Sequence, residues 1–240
     1  MRYLISVSYN GSKFYGFQRL DKKKSIQGEL EKVLTKINKT VVYVKGAGRT
    51  DRGVHARDQR VHFDLTINIS PERLIEAMNS MLDDAIRVNS CEVVEDNFHA
   101  RFDVKKKRYV YVINLGKYDP IMDDFIYNYN RDLNISAMKK ASKYLLGVNS
   151  YEAFTSGERD SYDSIIYKIN FKKKKDLLYI TFDGKSFYRY MVRNMVGALM
   201  LVGNGKISSS DMKLMIEARR NKFNYMTVPP NGLYLDKVEY

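Results

Sequence analysis

Apolar and polar positions alternate with two distinct periods along the chain. From Arg2 to Tyr9 the period is two: Tyr3, Ile5, Val7 and Tyr9 share one face of a half-buried strand that Asn10-Gly11 ends. From Ser25 to Asn38 the spacing is helical, with Ile26, Leu30, Val33, Leu34 and Ile37 on one stripe. Ser25 takes the N-cap position there, although Gly28 stands where a capping box would have Glu. A run dominated by β-branched residues, Val41 to Val44, leads into a loop rich in glycine and arginine, and Val61 to Leu65 reads as the next strand. Pro71 to Met81 is a helix pattern, capped by Ser70 and with Pro71 at its first position.

The remainder continues in the same mixed style. Ile86 to Val94 and Arg108 to Leu115 are strand patterns, and Ser136 to Leu146 is a helix pattern closed by Gly147. Ile165 to Phe171 and Leu177 to Phe182 read as a hairpin joined by Lys172 to Lys175. Tyr188 to Val202 is apolar on several faces and predicts a buried helix stopped at Gly203. Asp211 to Arg219 reads as a surface helix and Gly232 to Tyr240 as a closing strand. Strands and helices therefore mix without regular βαβ alternation. That favours an α+β fold with a largely antiparallel sheet and helices packed on one face. The order strand, helix, strand, strand occurs in the first part and more loosely in the second. Two related halves follow, residues 1–104 and 105–240.

Composition narrows the class. Of 240 residues 44% are hydrophobic, enough for a real core. Lys and Arg number 41 against 28 Asp and Glu, a formal charge of +13, which points to a polyanionic partner and first to nucleic acid. No long apolar span or signal segment supports a membrane surface instead, so the expectation is a soluble, cytoplasmic protein. The single cysteine, Cys91, excludes an internal disulfide and a cysteine-rich zinc site, and reads as a small core residue. His55, His62 and His99 lack helical metal-ligand spacing. With no phosphate-binding loop or dinucleotide fingerprint either, neither a metal nor a cofactor is expected.

Candidate chemistry concentrates in Gly48-Arg49-Thr50-Asp51-Arg52-Gly53-Val54-His55-Ala56. A lone carboxylate, Asp51, stands between two arginines in a chain built to attract polyanions. Such an acid suits nucleophilic or acid–base work on a nucleic acid. The alternative is a β-turn in which Asp51 accepts backbone N–H bonds and the arginines are solvated. Lys22 to Lys24, Lys105 to Arg108 and Lys172 to Lys175 are basic runs that would supply phosphate contacts on a shared face, the last reading better as a solvated turn. Tyr109 and Tyr111 follow the second run at period two, so one suits stacking on an extruded base and the other a core. Arg193 interrupts a helix that otherwise looks buried and calls for a carboxylate partner; Asp51 is one candidate, another acid at the helix rim the alternative.

These residues resemble the tRNA pseudouridine synthase A family. Beyond the Asp51 loop, the likeness covers Tyr9-Asn10-Gly11 with Phe14, Gly16 and Gln18, and Ser25 to Glu31. It continues through Phe98 to Asp103, Lys107 to Tyr111, Met191 to Gly197 and Pro230 to Leu235, in order along essentially the whole chain. The resemblance implies that Asp51 is the catalytic nucleophile, that Tyr109 packs on the target uracil and that Arg193 is the charge partner of Asp51. Arg49 would fill the space left by the extruded base, and Leu233 would line the apolar side of the pocket. It further implies two related α+β halves, ferredoxin-like or RRM-like, with sheets joined into one, a basic cleft between them, and a homodimer. The substrate would be uridines on the 3′ side of the tRNA anticodon stem-loop.

That chemistry needs no oxidant, metal or nucleotide, because the isomerisation conserves every atom. Extruding the base costs a few kcal/mol, which an inserted arginine and an aromatic ring would offset. The chain departs from the family at Asn10, where an aspartate is usual, at Gly147 to Tyr151, at Asp163 to Ile165 and at Lys185-Ser186. None of these is in the implied catalytic set. Two other readings stand beside the first: a paralogue acting on ribosomal RNA, and a non-catalytic RNA-binding module.

Overall fold

The structure, a computed structural model, describes residues 1–220 and 223–240. In chain order its elements begin with β1 (Arg2–Tyr9), α1 (Ile26–Asn38), β2 (Lys45–Gly46), β3 (His55–Asp64), α2 (Pro71–Asn79) and β4 (Ile86–Val94). They continue with β5 (Lys106–Asn114), β6 (Tyr127–Asn128), α3 (Ile135–Ser142), β7 (Gly147–Ser150), β8 (Asp163–Lys174) and β9 (Leu177–Gly184). The last are α4 (Met191–Gly203), α5 (Asp211–Ala218) and β10 (Leu233–Glu239). The chain divides into two compact units, residues 1–105 with 234–240, and residues 106–233.

In the first unit β4, β1 and β3 lie side by side and antiparallel, with β2 antiparallel and β10 parallel to β3. The register Ile5↔Val61 and Ile5↔Cys91 puts β1 in the middle, and Tyr3, Leu4, Ile5 and Val7 are buried accordingly. α1 begins where expected because Ser25 Oγ accepts the Gly28 N–H, and its stripe Ile26, Leu30, Val33 and Leu34 is buried. The run Val41 to Val44 is not a strand. Its backbone is satisfied by side chains of α1 instead: Val42 N–H donates to Thr35 Oγ1 at 3.0 Å and Val44 N–H to Glu31 Oε1 at 3.1 Å. The next strand starts at His55, well before the apolar run at Val61, because Gln59 is also turned inward and fully buried.

In the second unit β9 is flanked by β5 and β8, and β8 by β7, all antiparallel; β6 adds to β5 in parallel. The hairpin turn is shorter than its lysine run: Lys172 to Lys174 remain in β8, and Lys175, at φ 53°, turns the chain with Asp176. The apolar stretch from Tyr188 becomes helical only at Met191, since Tyr190 holds a left-handed φ of 63°. From there α4 is buried almost all round, Arg193 and Leu201 being the half-exposed exceptions. Mixed helices with mostly antiparallel sheet match the α+β class read from the sequence.

Candidate functional site

Asp51 sits half-buried in the connection between β2 and β3, and nearly every residue around it is held from outside the loop. At the stem, Gln59 Nε2 donates to the Gly48 carbonyl at 2.8 Å and the Ala47 N–H to the Arg60 carbonyl at 2.7 Å. The buried Thr50 shares a 2.7 Å hydrogen bond between its Oγ1 and the Tyr9 hydroxyl, while its carbonyl accepts the Phe17 N–H at 3.0 Å. Burial pushes the Tyr9 hydroxyl up to about 12, so it stays protonated as a structural group. Asp51 itself opens a β-turn closed by the Val54 N–H on its carbonyl at 3.1 Å, with Gly53 at φ 81° supplying the left-handed corner.

The segment after β1 forms the loop's other wall. A Cβ on Gly11 would be driven into the Val54 carbonyl, and one on Gly16 would come within 2.9 Å of the Thr50 carbonyl and 3.2 Å of the Arg52 nitrogen. Only glycine lets these two backbones touch. His55 is buried: its Nδ1 accepts the Gly11 N–H at 3.1 Å and its ring stacks on Tyr234 at 4.8 Å. Asn10 caps the short turn at Gly11–Lys13 by accepting the Ser12 N–H, a function its amide serves as well as a carboxylate would. Arg49 and Arg52 are exposed, and among the described residues neither is in an ion pair. The loop is thus held at its stem and its corner and presents one half-buried carboxylate and two exposed arginines.

The other three candidates belong to the second unit. Tyr109 lies on β5, buried, with its ring edge-on to Phe187 at 5.0 Å. Of the period-two pair, Tyr111 is the core member: it is fully buried and its hydroxyl donates to the Pro229 carbonyl at 2.7 Å. Arg108 is committed to Asp183 through a two-pronged ion pair, Nε to Oδ1 at 2.7 Å and Nη2 to Oδ2 at 3.0 Å, so its basic run offers less free charge than its sequence suggests.

Arg193 occupies the first turn of α4, where a cation opposes the helix dipole. Within this unit its Nε donates to the Val228 carbonyl at 2.7 Å and its guanidinium lies over the Tyr190 ring at 4.9 Å. Val228 belongs to a strip laid along the helix. Thr227 Oγ1 donates to Asn194 Oδ1 at 2.6 Å, and a Cβ on Gly197 would strike the Met226 carbonyl. That strip leads through Gly232, packed on Tyr111, to the buried Leu233.

Gln59, which fixes the Gly48 carbonyl, was not singled out in the sequence, though it was detectable as a polar residue in phase with Val61 and Phe63. Among the described residues no group of three or more His, Cys, Asp or Glu could hold a metal ion, and no helix is long and apolar enough to cross a membrane.

A model of the family described as tRNA pseudouridine synthase matches residues 5–103 and 141–240. Those stretches include Arg49, Asp51, Arg193 and Leu233 but not Tyr109. The tRNA pseudouridine synthase A of Listeria monocytogenes is 42% identical over 245 residues, covering 100% of this chain and 99% of the relative. The protein of the same name from Thermosipho melanesiensis is 38% identical over 240 residues, covering 99% and 98%. That from Bacillus subtilis is 36% identical over 245 residues, covering 100% and 99%.

Proposed function

We propose that this chain, which belongs to the tRNA pseudouridine synthase family, isomerises uridine to pseudouridine in tRNA with Asp51 as its nucleophile. The observation that carries the activity is the likeness over the whole length of chain and relatives alike. Supporting Asp51 is the rigidity of its loop: Tyr9, Phe17, Gln59 and Val54 fix the backbone on both sides of a half-exposed carboxylate. A reacting group needs that kind of preorganisation.

In the reaction the bond from uracil N1 to ribose C1′ breaks, the base turns, and a bond from C5 to C1′ forms. C5 loses a proton and N1 gains one, so the change is neutral in atoms and electrons. Asp51 would supply the transient covalent bond to base or sugar. Arg193, held by Val228 and Tyr190, would keep that carboxylate ionised, and Tyr109 would pack on the uracil. Arg49, exposed and without an ion pair among the described residues, would enter the stack that the base has left, and Leu233 would close the apolar side. The 3′ side of the anticodon stem-loop is the proposed target, a homodimer the working form and the cytoplasm its place.

The test is pseudouridine formation in a tRNA transcript, read by mass spectrometry of digested nucleosides. Wild-type protein converts uridine, whereas Asp51→Ala makes no product yet binds the transcript at least as tightly, because a negative charge has left a basic surface. Substantial product from Asp51→Ala would overturn the assignment.

A further inference from the structure

One aromatic ring beside the Asp51 loop has gathered two cations. Tyr15 is 42% exposed. The Arg52 guanidinium lies over its ring at 4.5 Å and the Lys23 ammonium at 5.0 Å. The two charges are therefore no farther apart than roughly one Debye length, about 10 Å at 0.1 M salt, and they repel. Other cations of the region do find acids: Arg19 pairs with Glu31 at 2.8 Å and Lys24 with Asp83 at 2.5 Å. Among the described residues Arg52 and Lys23 pair with none.

The backbone builds this arrangement. Lys22, at φ 56°, turns the chain so that Leu20 and Lys23 pair as an isolated bridge, and the Tyr15 N–H donates to the Lys24 carbonyl at 2.9 Å. On the other side Gly16 presses on the backbone of Thr50, Asp51 and Arg52, which ties the ring to the loop. A planar ring between two segments thus fixes the positions of two long cationic side chains. Arg52 is also the residue next to the proposed nucleophile.

We infer that Tyr15, Arg52 and Lys23 form a phosphate-gripping cluster that holds the RNA strand flanking the uridine being isomerised. The inference rests on the proposed reading of Asp51 as the reacting group. An RNA phosphate relieves the repulsion between the two cations, and the Tyr15 ring sets where they meet it. The cluster positions RNA and takes no part in bond making.

The experiment measures tRNA affinity against salt for wild type, Arg52→Ala, Lys23→Ala, Arg52→Lys and Tyr15→Leu, together with KM and kcat for pseudouridine formation. Each alanine variant should flatten the slope of log affinity against log salt by about 0.7–0.9 and raise KM several-fold while kcat stays within about twofold. Arg52→Lys should restore the slope, since the charge returns. Tyr15→Leu should raise KM with the slope less affected. The binding slopes are readable even if no pseudouridine forms, so failure of the functional reading leaves this result separate. Unchanged slopes in both alanine variants would overturn the cluster. So would a fall in kcat at unchanged KM and slope, which would move Arg52 into the chemistry.

Discussion

Gly11 shows how much the Asp51 loop depends on a single missing atom. A Cβ there would meet the Val54 carbonyl, whose own N–H closes the turn at Asp51. Gly11→Ala should therefore cost about 1–3 kcal/mol in stability, the usual penalty of overpacking, and reduce turnover more than stability alone explains. Denaturant unfolding beside an activity assay checks both; an active variant of wild-type stability would mean that the two backbones can part freely. His62 offers a different test. Burial, then the neighbouring His99, pushes its imidazole from 6.5 down to about 4, and its Nδ1 accepts the Ala100 N–H at 3.0 Å. Between those values the unfolded chain binds more protons than the folded one. The stabilisation is therefore complete above about pH 6.5 and is lost as pH falls towards 4, a contribution on the order of 3 kcal/mol before solvent screening of the ring reduces it. His62→Gln should show a shallower fall in melting temperature over that range; an identical fall would assign the acid sensitivity to other groups. The Asp51 loop stands out in the sequence because a lone acid among arginines is conspicuous. The demand on Gly11 does not, since it arises from a neighbour forty-odd positions away and leaves no local mark beyond a turn dipeptide.

Elements were legible where one face is buried and the caps are local. Ser25 and Ser70 mark the starts of α1 and α2, and the bounds of β1 and β4 coincide with their apolar runs. Reading failed where tertiary partners replaced secondary structure. Val41 to Val44 has the residues of a strand, but Thr35 and Glu31 take its N–H groups. Tyr188 to Tyr190 has the residues of α4, but Tyr190 takes the left-handed conformation and places its ring under Arg193. The strip 225–229 had no pattern of its own, yet it carries the carbonyl that holds Arg193. Gly197→Ala should lift that strip, because the added methyl meets the Met226 carbonyl. We expect a loss of about 1–3 kcal/mol despite the better helix propensity of alanine, and a fall in activity through Arg193. Calorimetry showing a gain in stability would mean that the strip rides on α4 loosely.

At the scale of the molecule the surplus of charge decides behaviour. Arg2, Arg19, Lys24, Arg57 and Arg108 each meet an acid, but with 41 cations and 28 acids a formal excess of +13 cannot be paired internally. This sum was fully legible in the sequence; which cations it leaves available, Arg49, Arg52 and Lys23 among them, required the structure. Each phosphate contact releases counterions, so the logarithm of affinity falls linearly with the logarithm of salt, at a slope near the number of contacts. Two contacts alone would give about a tenfold loss between 50 and 200 mM salt, and a footprint of six or more would give a thousandfold or greater loss. Binding of a tRNA transcript, followed by fluorescence anisotropy across that range, should therefore weaken at least tenfold, with KM rising in parallel and kcat nearly constant. A salt-independent affinity would mean that the excess charge faces away from the RNA, and that recognition rests on base contacts instead.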